Sequence, residues 1–189
     1  EPVLKESDEE RYTRLFGLGG DQLVLDQKQE TDSASLTLEA NYRGVKFTPK
    51  YRILDTIGFI VSKLGSPPLD LTVELIEDDA GLPGKNVLRV LTIAKEKISP
   101  AAWHYLKIGE DLNTAKSYWI VLRIVGDASN TYRWHYSGAG TSASSADGIS
   151  WSAGTTGFAF RTYTMTPVLN IVDDLSTPLS KFFREEVIK

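Results

Sequence analysis

The sequence contains no cysteine. Disulfide frameworks and thiolate metal sites are excluded, so a folded domain must be held by its apolar core. Histidine is almost as scarce. Only His104 and His135 are present, which leaves two candidates for a histidine base and too few for a histidine-rich metal centre. No apolar run approaches the roughly 20 residues that a membrane-spanning helix needs. Positive charge is not in excess either. The net charge is −4 and the pI about 5.3, the wrong sign for the concentrated basic field of a nucleic-acid-binding surface. No repeat of fixed period is found, and the charged opening from Glu1 to Arg14 does not read as a secretion signal.

What is present is strand periodicity. The chain has 189 residues, of which 41% are hydrophobic, enough for one domain with its own core. Leu69 to Leu75 is apolar at every second residue, the pattern of a strand with one face on a core. A turn is expected at Gly81-Leu82-Pro83-Gly84, then an extended run from Val87 to Ile93. The aromatic segment Trp103-His104-Tyr105-Leu106 and a connector from Gly109 to Lys116 follow. Tyr118-Trp119-Ile120-Val121-Leu122 has no polar position and reads as a strand covered on both faces. Shorter strands are expected at Leu23–Leu25, Ser35–Ala40, Gly44–Thr48, Ile57–Val61 and Thr131–Tyr136. Gly138 to Gly148, rich in Ser, Gly and Ala, reads as a surface loop or hairpin tip, with an Asp147-Gly148 turn before Trp151. Gly157 to Tyr163 reads as one closing strand. Short strands at this spacing with no helix between them give an all-β, two-sheet fold.

The two ends differ in character. Ser7 and Glu10 have capping-box spacing for a short helix, in a stretch that reads equally well as a solvated arm. Leu15 to Gly20 is glycine-rich, but no Lys-Ser or Lys-Thr follows it, so it is not a phosphate loop. Thr177-Pro178 is a helix start. Leu179, Phe182, Phe183 and Val187 then fall on one side, as a docking helix within the monomer or a protein-interface helix in an assembly. The expected division is an arm and first strands over residues 1–41, a sandwich over 42–164, and an extension over 165–189.

Candidate chemistry is sparse. Both histidines lie in aromatic strand runs, where a polar strand face accounts for them, and no Gly-x-Ser-x-Gly elbow is present. Glu74, Glu77, Asp78 and Asp79 are clustered, but Glu77 to Asp79 runs into a turn and the group lacks calcium-loop spacing. No metal site, catalytic residue or cofactor is expected. The aromatic set is the most informative feature. Tyr132, Trp134 and Tyr136 share a strand face, and with Trp151 they either fill the sandwich core or stack on a sugar ring. Tyr132, Trp134 and Trp151 are the ligand-binding candidates, with Trp151 the one expected to be exposed.

Several pieces then occur in a familiar order: the Leu71-to-Glu77 strand, Gly81-Leu82-Pro83-Gly84 before Val87-Leu88, Trp103, and Ser117 to Leu122. After them come Tyr132 and Trp134, Gly148-Ile149-Ser150-Trp151, and Phe158 to Tyr163. Over residues 42–163 this resembles a jelly-roll β-sandwich module of bacterial surface or secreted proteins and of tailed-virus structural proteins. The resemblance implies a jelly-roll antiparallel β-sandwich with an N-terminal arm and a C-terminal helical extension. It implies display, adhesion or assembly in place of catalysis: a virion structural protein of tail, baseplate or capsid decoration, located in the virion or outside the cell. Its partners would be other copies of itself, neighbouring virion proteins and host-surface glycans, with no nucleic acid and no membrane span. The alternative is a carbohydrate-binding module of a cell-surface or secreted protein.

Overall fold

The computed structural model describes residues 21–30, 33–38, 42–98, 100–123 and 127–167. They form eleven strands: β1 Asp21–Gln29, β2 Ala34–Thr37, β3 Tyr42–Phe47, β4 Ile53–Leu64, β5 Leu71–Asp79, β6 Leu82–Ile93, β7 Ala102–Asp111, β8 Tyr118–Arg123, β9 Thr131–Ser145, β10 Ser152–Phe158 and β11 Phe160–Pro167. One 3-10 turn, Lys95–Lys97, is the only helical element among the described residues, and none of their helices could cross a membrane. The expected capping box near Ser7, the glycine stretch before Asp21 and the tail helix with Leu179, Phe182, Phe183 and Val187 lie outside the described residues.

The fold is all-β and its registered strand pairs are antiparallel. Hydrogen bonding runs in the order β1-β11-β4-β9-β3-β8-β5-β6, with β7 added to β4 and with β2 and β10 added to β9. Val24–Thr164 forms one compact unit, so it takes in β2 and most of β1 ahead of the expected start at Tyr42. Of the other unit, Glu1–Leu23 with Met165–Lys189, the described residues are the ends of β1 and β11.

Strand β8 is covered on both faces, as its unbroken apolar run predicts. Tyr118, Ile120 and Leu122 join the main core with Phe59, Leu75, Tyr132, Trp134 and Phe158. Trp119 and Val121 point the other way, into a smaller cluster with Ile76 and Ala143, flanked by Tyr42, Leu82 and Trp151. At about 25 cal/mol per Å² of apolar surface, clusters of this kind supply most of the drive to fold.

Three local expectations are corrected. The β5–β6 turn sits at Ala80 and Gly81, with φ of 51° and 91°, the doubly left-handed geometry of a tight hairpin. Leu82, Pro83 and Gly84 therefore belong to β6, where Pro83 opposes Asp78; β6 is the terminal strand of the order, and an edge tolerates proline. Gly138 to Ser145 is strand and not loop. Its small residues allow close approach: a Cβ at Gly140 would stand 2.6 Å from Gly157 Cα. Between the Phe158–Tyr136 and Ala139–Thr156 pairs, β9 has Ser137 and Gly138 against the single Gly157. Gly138, with φ of 64°, supplies this bulge, and β9 passes from partners β2 and β4 to partners β3 and β10. Finally, Gly157 to Tyr163 is two strands. Phe158 pairs with Tyr136 of β9 whereas Phe160 pairs with Phe59 of β4, so the chain changes partner at Ala159.

Candidate functional site

Strand β4 lies between β7 and β11, and the site grows from the register there. Gly58 is opposite Tyr105 on one side and Arg161 on the other. Ile57, Phe59 and Val61 enter the core, so Gly58 faces outward. On β11, buried Phe160, Thr162 and Thr164 likewise leave Arg161 and Tyr163 on the outer face. On β7, Ile108 is core and Leu106 packs against it. Alternation then puts His104 on their side and Trp103 and Tyr105 outside.

This reverses the expected role of His104. It is not on a polar strand face. It lies opposite Phe59, its Nε2 is buried without a hydrogen-bond partner, and burial lowers its pKa. A neutral imidazole follows, because desolvation disfavours the charged form.

The outward side chains meet over Gly58. A Cβ there would stand 2.7 Å from Tyr105 Cε1 and 3.5 Å from Trp103 Cε3, so the absent side chain is what lets the tyrosine ring lie across β4. Tyr105 as a residue is 47% exposed. Across the glycine, Arg161 donates from an Nη to the Tyr105 hydroxyl at 2.6 Å and from Nε to Glu30 at 2.8 Å. Its guanidinium carbon stands 4.0 Å from the Trp103 ring centroid, a cation–π contact. Trp103 and Tyr105 are near-parallel at 6.2 Å, and Tyr163 meets Tyr105 edge-on at 6.0 Å.

The electrostatics of this row favour the charged forms of Arg161 and Glu30 and the neutral form of Tyr163. Burial opposes the Arg161 charge, but Tyr105, Tyr163 and Glu30 raise its pKa above the ordinary arginine value. The hydrogen bond from Lys28, and then Arg161, hold Glu30 below the carboxylate range. Burial and Tyr105 push Tyr163 up. Every shift moves away from neutrality.

The other candidates are placed as follows. Tyr132 and Trp134 are fully buried. The Tyr132 hydroxyl donates to Leu69 O at 2.8 Å and the Trp134 indole to Ala159 O at 3.1 Å. Trp134 stacks on Phe158 at 4.4 Å, and burial pushes the Tyr132 pKa up to about 12. Neither ring offers a face to a ligand. Trp151 is half-buried, edge-on to Tyr42 at 6.1 Å. It is not brought together with the other two, which belong to the main core whereas it borders the smaller cluster.

His135 lies on the face opposite Trp134, and its Nε2 is 2.9 Å from Ser62 Oγ. This pair joins distant parts of the sequence. Ser62 sits within β4 and not on a strained turn, since Ala80 alone among described non-glycine residues has positive φ. A nucleophile elbow is therefore not formed there. The acidic cluster is dispersed into separate bonds. Glu77 takes Asn86 and Lys116, while Asp78 takes Lys46, Trp119 and the Gly81 amide. Among the described residues no group of three or more His, Asp or Glu is placed to hold a metal.

The outward row was not singled out from the sequence. One signal pointed to it: a glycine inside an apolar strand run marks a close approach by another group. No family model and no curated protein matches the chain.

Proposed function

We propose that the chain is a non-enzymatic virion structural protein, a tail, baseplate or capsid-decorating component that acts in assembly or host adhesion, built on a jelly-roll sandwich. The observation that supports this reading is the outward row on β7, β4 and β11. It is prebuilt by hydrogen bonds and ring contacts with Tyr105 exposed among them, and Arg161 and Glu30 are held in their charged forms. General acid–base catalysis needs a group poised near the working pH, whereas recognition needs fixed shape and fixed charge. The frame fits the same role. Strand β9 and the Ala159 corner carry the chain between two sets of strand partners, as a closed two-sheet sandwich requires.

The apolar positions Leu179, Phe182, Phe183 and Val187 supply the assembly element in this reading. A helix this short gains most of its stability from packing, and repeated copies offer the surface. Sedimentation and native mass measurement of the full chain test it. A discrete multimer, weakened by deletion of residues 177–189 while the β-sheet circular dichroism persists, is the expected result. A full-length chain that stays monomeric at high concentration rejects the assembly role. The second reading, a carbohydrate-binding module of a cell-surface or secreted protein, is favoured by the same outward aromatic row.

A further inference from the structure

We propose that the row formed by Trp103, Tyr105, Arg161 and Glu30 over Gly58 is a glycan-binding platform, with Tyr105 as its stacking surface and Arg161 and Glu30 as its hydroxyl-binding pair. The inference deepens the adhesion part of the proposed function and rests on it.

Three observations select this ligand chemistry. A pyranose ring has one apolar C–H face and a rim of hydroxyls. It needs an exposed aromatic face next to groups that both donate and accept. Tyr105 is the exposed face, held across the strand because Gly58 lacks a side chain. Arg161 is held from three directions by Trp103, Tyr105 and Glu30. A guanidinium has five N–H donors in a planar fork; Glu30 and Tyr105 engage two of them, and Tyr163 is hydrogen-bonded to Arg161 as well. The remainder are oriented before any ligand arrives, which reduces the ordering penalty of binding.

Charge and strand pairing both weigh against the main competitors. Arg161 is met by Glu30, which it shares with Lys28 at 2.7 Å, and Lys107 on the neighbouring outward position is met by Asp55 at 3.8 Å. An anionic headgroup or phosphate would find no concentrated positive field. An added peptide strand could not pair with β4, because Gly58 is already paired with Tyr105 and Arg161; it could pair only along the outer edge of β7, beside the row and not across its ring faces. A compact ligand rich in neutral hydroxyls fits what is left.

The test is affinity electrophoresis of the full chain in native gels cast with mannan, galactan, β-glucan or dextran, with sedimentation of the same samples. At least one polysaccharide should retard the protein. Tyr105→Ala should weaken that retardation roughly tenfold or more, and Arg161→Lys, which keeps the charge but removes the planar fork, should also weaken it. Ile149→Ala, at an exposed hairpin tip remote in register from the row, should leave it unchanged. Tyr105→Phe keeps the ring and the fold should Tyr105→Ala fail to fold; it should weaken retardation by loosening Arg161. Absence of retardation in every gel overturns the proposal, as does full retardation of the folded Tyr105 and Arg161 variants. Retardation of a monomer would keep the platform and reject assembly, whereas a multimer that no gel retards would keep assembly and reject the platform.

Discussion

The Trp119 indole nitrogen donates to Asp78 Oδ1 at 2.7 Å, joining the centre of the sheet to the end of β5. The same oxygen accepts from the Lys46 ammonium at 3.0 Å, which also stands 5.9 Å from the Trp119 ring centroid. A fully buried indole thus has its one polar atom satisfied by a carboxylate that is itself paired. Burial works against the Asp78 charge, yet these bonds hold its pKa below the ordinary range. Removing the ring by Trp119→Ala should destabilise the protein by about 3–5 kcal/mol. Trp119→Phe, which keeps an aromatic ring but loses the bond, should fall between that variant and wild type. Urea unfolding of the two variants measures the order, and equal midpoints for Trp119→Ala and wild type would remove β8 from the core.

Glu74 gives a pH prediction. It shares the outer face of β5 with Ile76, and burial raises its pKa, with Arg123 pulling the other way. A carboxyl whose folded pKa is raised binds its proton more tightly when folded. Its favourable contribution is present below the unfolded value and is lost as pH rises through the folded one. Glu74→Gln should therefore be more stable than wild type at pH 7, with the gap closing as pH falls toward about 4. Urea midpoints measured at both pH values decide it; a gap that stays constant would mean that Glu74 ionisation is not its source.

Gly58 should not tolerate a side chain. A methyl group there meets the Tyr105 ring at 2.7 Å, and Tyr105 is tied to Arg161, so the ring must lift and the bond must stretch. Gly58→Ala should destabilise the protein by roughly 1–3 kcal/mol, in the range of other overpacked sites, and alter the near-ultraviolet aromatic signal. Gly81→Ala is the contrast. Nothing stands within 4 Å of its Cβ position, but its φ of 91° disfavours any side chain, so it should be destabilised with the aromatic signal unchanged.

Asp147 organises the β9–β10 hairpin tip. Its Oδ1 accepts from the amides of Ser150 at 2.7 Å and Ile149 at 2.8 Å, and from the Ser145 hydroxyl at 2.9 Å. These bonds hold its pKa far below the usual carboxylate range. The stabilisation is present above the unfolded value and is lost as pH falls through the folded one. Asp147→Ala should speed amide hydrogen exchange at Ile149 and Ser150 while leaving exchange in β8 unchanged. Unaltered exchange at the tip would mean that the backbone alone holds this turn.

Local chemistry alone determined the strand character of this chain. Alternation at Leu71–Leu75 has period two, and Tyr118–Leu122 offers no polar position for solvent, so burial of both faces of β8 followed from composition. Turn chemistry was legible at Asp147-Gly148 for the same reason, since side-chain acceptors and positive φ are local properties. The site was not legible, and Trp103-His104-Tyr105-Leu106 explains why. Period two says which residues share a face; it does not say which face turns inward. Either choice buries apolar surface in that segment. The packing of Leu106 and Ile108 against the core decided it, placing His104 beneath and both aromatic rings outside. Gly138 to Ser145 took strand form because β3 and β10 flank it, and β10 approaches closely enough to require small residues. The row over Gly58 needed β7, β4 and β11 side by side. Residues 58, 105 and 161 meet only through that pairing, and hydrogen bonds between distant strands are set by the tertiary fold.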